Sequence, residues 1–218
     1  MDQFPISPRN KVKRIPKRGH YDKATIYEIL DAACVAHVGF VMPDGQPFVI
    51  PTAYGRDGDR IFIHGATKSR TLLAAQTGIP MCLTVTHLDA IVLARSVFHH
   101  SMNYRSAMVF GRAQVLPEAE KEHGLFVISE NILKGRWAEG RPPNAKELKA
   151  TSVLAINIEQ ASAKIRDLGP SDDAPDYELP IWAGLIPIST RYETPIPDPL
   201  LKEGIPLAKS VEQLFPNP

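Results

Sequence analysis

Two closely spaced Asp-Gly pairs constrain the fold of this chain more than any other feature of its sequence. Asp44-Gly45 separates the apolar-rich segments Val38–Met42 and Gln46–Tyr54, and Asp57-Gly58 separates the second segment from a third that begins at Ile61. Asp-Gly readily supplies the positive φ angles that tight β-hairpins require. The region therefore predicts three strands joined by two hairpins, which form an antiparallel meander.

The rest of the chain continues this pattern of short strands with a few helices between them. Further strands are predicted at Met81–Thr86, Ile91–Ala94, Ala107–Gly111, Val153–Ile158 and Ala163–Arg166. Helices are predicted from a capping box at Thr25 and Glu28, after Thr67 as far as Gly78, and from Pro117 with a buried stripe of Leu125, Ile128 and Ile132. Because strands and helices do not alternate, the pattern favours a mainly β fold, an antiparallel barrel with peripheral helices, over a doubly wound parallel sheet.

Composition narrows the class of protein. A chain of 218 residues with 44% hydrophobic residues is typical of one globular domain. The 25 Lys and Arg residues are balanced by 24 Asp and Glu, which argues against a nucleic-acid partner. No apolar run approaches the roughly 20 residues of a membrane helix, and Met1–Pro5 does not resemble a signal peptide. Cys34 and Cys82 do not make a disulfide framework, so we expect reduced thiols and a cytoplasmic protein without a membrane partner.

The sequence divides into three parts. Residues 1–17 include the basic positions Lys11, Lys13, Arg14 and Lys17 and are expected to form a flexible, solvated arm. Residues 18–190 are expected to form the folded domain. Residues 191–218 are rich in Pro and are expected to lie extended on a surface, such as that of a partner subunit.

The segment Ile61–Arg70 carries the strongest local signal for a ligand. A strand ends there in a loop of small residues, and Thr67, Lys68, Ser69 and Arg70 bring two hydroxyls and two cations to the start of the next helix. Free backbone N–H groups at a helix start attract anions, so this pattern suits a phosphate. From spacing alone, a hydroxyl that merely caps the helix beside solvated cations is the more common arrangement.

Several stretches in a fixed order resemble the pyridoxamine 5′-phosphate oxidase-related flavoproteins, in particular the branch that includes nitroimidazole-resistance proteins. These stretches are Phe48–Tyr54, His64–Ala66, Ser101–Gly111 and Ile181–Pro187, and the resemblance spans roughly residues 18 to 190. It implies an FMN-binding split β-barrel that assembles as a homodimer, with FMN near the subunit interface.

The resemblance also implies which residues hold FMN. The phosphate would lie against Thr67, Lys68, Ser69 and Arg70, and the ring against the strand backbone at Pro51, Thr52 and Ala53, with Tyr54 also assigned to the cofactor site. Tyr104, Arg105, Ser106 and Trp182 could join the site from either subunit. His64 could contact the flavin or a substrate, although a histidine bonded to backbone at a strand end fits its position equally well.

The chain also departs from true pyridoxamine 5′-phosphate oxidases. These enzymes carry an Arg and a Lys in the strand that matches Val49–Tyr54, a Lys where this chain has Thr71, and a C-terminal Arg-x-His-x-Arg signature that is missing here. Oxidation of pyridoxamine phosphate is therefore not expected. We expect instead an FMN-dependent oxidoreductase that passes electrons to a small substrate, such as a nitroaromatic or quinone-like compound in the manner of the resistance branch.

Alternatives of a different class stay open. The chain could bind flavin without turnover, as a carrier or sensor, or its barrel could hold a deazaflavin or a haem. A haem would need an axial ligand, for which His64, His99 and His100 are the local candidates. No metal site is expected from the adjacent pair His99 and His100, because neighbouring side chains diverge. No P-loop, Rossmann fingerprint or nucleophile elbow is present in the sequence.

Overall fold

The protein is described by a computed structural model that covers residues 2–67, 69–76 and 78–215, without the side chains of residues 70, 74 and 76. The strands are β1 Gly19–His20, β2 Val35–Val41, β3 Pro47–Asp57, β4 Arg60–Ala66, β5 Pro80–Leu93, β6 Ser101–Val115, β7 Thr151–Asn157, β8 Gln160–Arg166 and β9 Gly184–Pro187. The helices are α1 Lys23–Asp31, α2 Arg70–Gln76, α3 Glu118–Ile132, α4 Ala145–Ala150 and α5 Lys209–Glu212.

Six antiparallel strands close into a ring, which confirms the predicted split barrel. The order around the ring is β6-β7-β4-β3-β2-β5, and β5 pairs with β6 to complete it. The two predicted hairpins are confirmed, since β2 pairs with β3 and β3 with β4. The long strand β6 also pairs with β8, which in turn pairs with the short edge strand β1. Strand β9 extends the sheet beyond β5.

The barrel is filled by the inward side chains of its strands and covered by helices. Met81, Leu83 and Val85 alternate inward along β5, as a strand with one buried face requires. Helix α3 lies against β3 so closely that a Cβ on Gly55 would stand 2.3 Å from the carbonyl oxygen of Val127. Only glycine permits this approach, so the backbone of β3 is fixed against α3.

The structure corrects several predicted boundaries. Helix α1 is capped by Asp22, whose carboxylate accepts a hydrogen bond from the backbone N–H of Thr25 (2.8 Å), so the predicted capping box is wrong. The two strands predicted between residues 81 and 94 are one strand, β5, with an irregularity in its pairing to β6 between Leu88 and Ala90. In the predicted stripe of α3, Ile128 is buried but Ile132 is half exposed.

Part of the predicted solvated arm packs against the barrel. Phe4 belongs to the main hydrophobic core, and its N–H donates to the carbonyl of Tyr21 (2.9 Å). The buried Asn10 side chain donates to the backbone oxygen of Ala161 on β8 (2.9 Å). An aromatic side chain gains free energy when it leaves water, and a buried amide needs these bonds, so the segment docks rather than remaining solvated.

The predicted apolar island after residue 178 lies largely at the surface. Trp182 is 65% exposed, and Leu179, Ile181, Leu185 and Ile186 are also exposed. Among the helices that the structure describes, none has both the length and the apolar character needed to cross a membrane.

Candidate functional site

A small cavity opens between β3, β4 and the start of α2. Its volume is about 150 Å³, and its lining combines apolar side chains with three hydroxyls and one imidazole. The polar side chains are those of Thr52, His64, Ser69 and Thr71, and the apolar ones are Val38, Ile50, Ile63, Leu72 and Leu154. Three residues that the sequence predicts for the cofactor, Thr52, His64 and Ser69, are therefore brought together here.

Gly65 shapes the floor of the cavity. A Cβ at this position would stand 3.3 Å from the Oγ of Ser69, so a larger residue would crowd that hydroxyl, while its 3.7 Å distance to a methyl group of Leu72 would be an ordinary contact. The Ser69 N–H donates to the carbonyl of Ala66 (2.8 Å), and the Ser69 carbonyl accepts from the N–H of Leu73 (3.0 Å). These bonds fix Ser69 at the turn from β4 into α2, with its hydroxyl beside the backbone of Gly65.

His64 supplies a neutral polar group to the cavity rather than a positive charge. Although the residue is exposed, partial burial of its ring lowers its pKa below the usual value. A lowered pKa keeps the imidazole uncharged at neutral pH, where it can donate or accept one hydrogen bond. Within the described residues the ring makes no hydrogen bond to protein.

The structure does not bring the remaining β3 residues into the cavity. Tyr54 is fully buried in the core and its hydroxyl donates to the carbonyl of Leu30, so its side chain does not line the cavity and its predicted contact with a cofactor stays a prediction. Burial raises the pKa of this phenol well above its usual value. Ala53 packs on the cluster beneath α3, and Pro51 is exposed. Alternation along the strand explains Pro51 and Ala53, which point to the face opposite Thr52, whereas Tyr54 shares the face of Thr52 and is buried in the core.

The other predicted residues are distributed elsewhere. Tyr104, Arg105 and Ser106 lie on β6, and Arg105 makes an ion pair with Asp89 (2.9 Å). None of these residues lines the cavity, and neither does Trp182. Thr67 is exposed beside the cavity. Lys68 lies outside the described residues, as does the side chain of Arg70, so their predicted contacts with a phosphate stay predictions.

One cluster was not predicted from the sequence. His99, Asp173 and Asp176 place one potential ligand atom each within 4.8 Å of the others. The spacing of these residues in the sequence does not predict the cluster, because His99 and the two carboxylates are brought together only by the fold of the segment after β8. Exposed carboxylates commonly cluster without an ion, so we assign no metal to this group.

Comparison with known proteins identifies the family. The family model described as pyridoxamine 5′-phosphate oxidase matches residues 22–165. The flavocytochrome Anf3 from Azotobacter vinelandii is 40% identical, with 95% of this chain and 96% of that chain covered and a TM-score of 0.88. An FAD- and haem-binding protein from Mycobacterium smegmatis is 36% identical, with coverages of 90% and 97% and a TM-score of 0.86. No curated protein matches at a significant level.

A more distant solved structure shares the fold. It is a protein from Bacteroides thetaiotaomicron described as a 5-nitroimidazole antibiotic resistance protein, 23% identical, with 66% of this chain and 84% of that chain covered and a TM-score of 0.57. From the family model and the two full-length matches, the chain belongs to the pyridoxamine 5′-phosphate oxidase family. Its barrel is the flavin-binding fold of that family.

Proposed function

We propose that the protein is a flavin-dependent redox protein whose flavin binds at the cavity between β3, β4 and α2. The observation that carries this proposal is the meeting of Thr52, His64 and Ser69 around Gly65, in a chain of the flavin-binding family. Small-molecule sites commonly occupy roughly 300–1,000 Å³. A cavity of about 150 Å³ therefore accommodates one end of a flavin, and the rest of the ligand would extend across the surface.

The lining residues suit the parts of a flavin. Ile50, Ile63 and Leu72 offer apolar contacts to a flat ring or a ribityl chain, while the hydroxyls of Thr52 and Ser69 offer hydrogen bonds. The neutral imidazole of His64 can bond a flavin heteroatom without contributing charge. A bound flavin would supply the hydride and electron transfer chemistry. The protein residues would bind and orient it and exclude water from one face.

FAD is the better proposal than the FMN expected from the sequence. Two proteins that match over nearly the whole chain are described as a flavocytochrome and as an FAD- and haem-binding protein. These descriptions also favour haem as a second cofactor, which was one of the alternatives from the sequence. Of its candidate ligands, the rings of His99 and His100 already contact Asp173 (3.4 Å) and the carbonyl of Ala94 (3.2 Å), whereas His64 lies in the cavity.

A second copy of the chain is the partner that fits this site. The exposed apolar residues Val49, Trp182 and Ile186 would be covered in a homodimer. Such a dimer would also explain how Tyr104, Arg105 and Ser106 could reach a flavin, because they could come from the other subunit. A nitroaromatic or quinone-like acceptor and a cytoplasmic location remain predictions from the sequence.

The visible spectrum of the purified full-length chain tests the proposal. We expect flavin bands that bleach when NADH or NADPH is added without oxygen, and mass spectrometry of the released cofactor should identify FAD. A haem Soret band in the same spectrum would support the second cofactor. Flavin bands that persist after NADH or NADPH is added but bleach with dithionite would favour a carrier or sensor. A colourless protein that takes up neither FAD nor FMN would refute the proposal.

A further inference from the structure

A second pocket lies on the other side of the sheet edge, between β1 and β8. Its volume is about 460 Å³, and its lining is dominated by cationic side chains. We call it the basic pocket and define it by Lys17, Arg18, His20, Ile165, Arg166, Asp167 and Leu168. None of these residues lines the cavity proposed for the flavin.

Arg166 is the buried cation of this pocket. Only 6% of the residue is exposed, and its guanidinium is held by neutral acceptors, namely the Asn103 side chain and the carbonyls of Leu168 (2.6 Å) and Gly169 (3.1 Å). Its Nε is buried and has no hydrogen-bond partner. Across the described part of the chain, Arg166 makes no ion pair. A buried cation normally forms an ion pair with a carboxylate or another anion, whereas Arg166 forms none with Asp167, the one carboxylate that lines the pocket.

Arg18 is the second arginine of the pocket whose Nε has no hydrogen-bond partner among the described residues. It ends the short 3₁₀ turn Pro16–Arg18, which packs beside β8, and its Nε is also buried without a partner. No residue in the described ranges forms an ion pair with Arg18. Burial lowers the pKa of Arg166 most, the charge of Arg18 lowers it further, and Tyr104 and Asp167 partly offset these two effects. Two guanidiniums that repel each other at a pocket wall would both be stabilised by an anion between them.

The turn that carries Arg18 is held in an unusual conformation. Ile15, directly before it, has a φ of +56°, in the left-handed region that a β-branched residue rarely adopts. Gly19, directly after it, lies so close to Val12 that an added Cβ would stand 2.9 Å from the Val12 Cβ. The backbone on both sides of Arg18 is therefore constrained, which fixes the position from which its side chain leaves the backbone.

We infer that the basic pocket binds an oxyanion of a small organic ligand, with Arg166 and Arg18 as the principal contacts and Lys17 at the rim. Guanidinium groups form paired, charge-assisted hydrogen bonds with both carboxylates and phosphates. The volume leaves room for a ligand body beside the anionic group. A phosphate ester and a carboxylate, such as a haem propionate, share this chemistry, so the probes below separate the two sources. The inference does not depend on the flavin proposal.

Isothermal titration of the purified full-length chain with pyrophosphate and, separately, with glutarate tests the inference. Chloride would be adjusted so that every titration has the same ionic strength. We expect saturable binding of at least one probe, and the preferred probe identifies a phosphate or a carboxylate as the natural group. Arg18→Gln should weaken this binding about tenfold or more, because one charge-assisted contact is lost. Arg191→Gln, which removes an equal charge from an exposed residue, should leave the affinity unchanged.

Arg166→Lys provides a second variant, because it keeps the positive charge but loses the planar fork, and it should also weaken binding. Circular dichroism of each variant would establish that the chain is folded. Absence of saturable binding by the natural chain, or equal affinity in the natural chain and in Arg18→Gln, would overturn the inference. Because flavin content is read separately from the visible spectrum, failure of anion binding and failure of flavin binding are distinguishable.

Discussion

The two pockets lie on the same sheet but differ in the charge of the side chains that line them. In the cavity between β3, β4 and α2, a few hydroxyls and a neutral imidazole stand among apolar side chains. In the basic pocket, three cationic side chains stand with a single carboxylate, and two of the cations have buried, unpartnered nitrogen atoms. The first lining suits the ring or ribityl end of a flavin, whereas the second suits an anionic group. Both pockets contain polar side chains, so polar content does not distinguish them. They differ in the charge of those side chains and in whether each charge is paired.

The largest expected effect concerns the buried side chain of Tyr54 on β3. Tyr54→Ala should lower the free energy of unfolding by about 3–5 kcal/mol, because it empties a fully buried site. Tyr54→Phe should cost about 1–3 kcal/mol, since the Leu30 carbonyl loses its donor. Urea unfolding measures both. If Tyr54 serves only the core, the folded Tyr54→Phe variant should retain the flavin content of the natural chain. Loss of flavin without loss of stability would place Tyr54 in the binding site.

Additive stabilisation by two ligands would sharpen the distinction between the pockets. An anion that binds the basic pocket should raise the free energy of unfolding by about 2.7 kcal/mol at roughly 100 times its Kd. Because the two pockets share no lining residue, the increments from flavin and anion should sum within about 0.5 kcal/mol. Denaturant melts with each ligand and with both provide the measurement. Mutually exclusive stabilisation would mean that the ligands compete for one site.

Removing the cavity hydroxyls should weaken flavin binding selectively. The double variant Thr52→Val with Ser69→Ala loses two neutral hydrogen bonds, worth together about 2 kcal/mol, so the flavin Kd should rise roughly 30-fold. Quenching of flavin fluorescence gives the Kd. Thr86→Val, on the exposed face of β5, is the matched control and should bind as the natural chain does. An unchanged Kd in the double variant would break the assignment of this cavity.

The smallest expected effect is a pH dependence from His64. Its pKa is lowered by burial, so the folded chain resists the proton that the unfolded chain accepts below about pH 6.5. The contribution of His64 to stability is therefore fully present above that pH and is lost as the pH falls. Urea unfolding at about pH 8 and about pH 5 should show a larger loss for the natural chain than for His64→Gln. Equal losses would mean that His64 titrates normally.

The fold could be predicted from the sequence largely because its signals are local. The Asp-Gly hairpins and the alternation along β5 depend on neighbours in the chain, and the structure confirms them. The closure of the ring by β5 and β6 carries no local signal, and came instead from the family resemblance.

The site was less predictable, because it depends on which face each side chain takes and on contacts between distant segments. A shared motif named Thr52 and Tyr54 together, but only Thr52 lines the cavity while Tyr54 fills the core. The basic pocket was missed because Arg18 and Arg166 are far apart in sequence and meet only when the chain before β1 docks on β8. The sequence shows that both residues are charged, but not that neither forms an ion pair with the described residues.

A crystal structure of the full-length chain with its flavin bound tests the central claim most directly. We predict that the flavin contacts Thr52, His64 and Ser69 at the cavity and extends from it along the surface. We also predict that the flavin does not occupy the basic pocket, which remains open to an anion. A flavin bound elsewhere, with the cavity closed by Leu72 and Leu154, would contradict it.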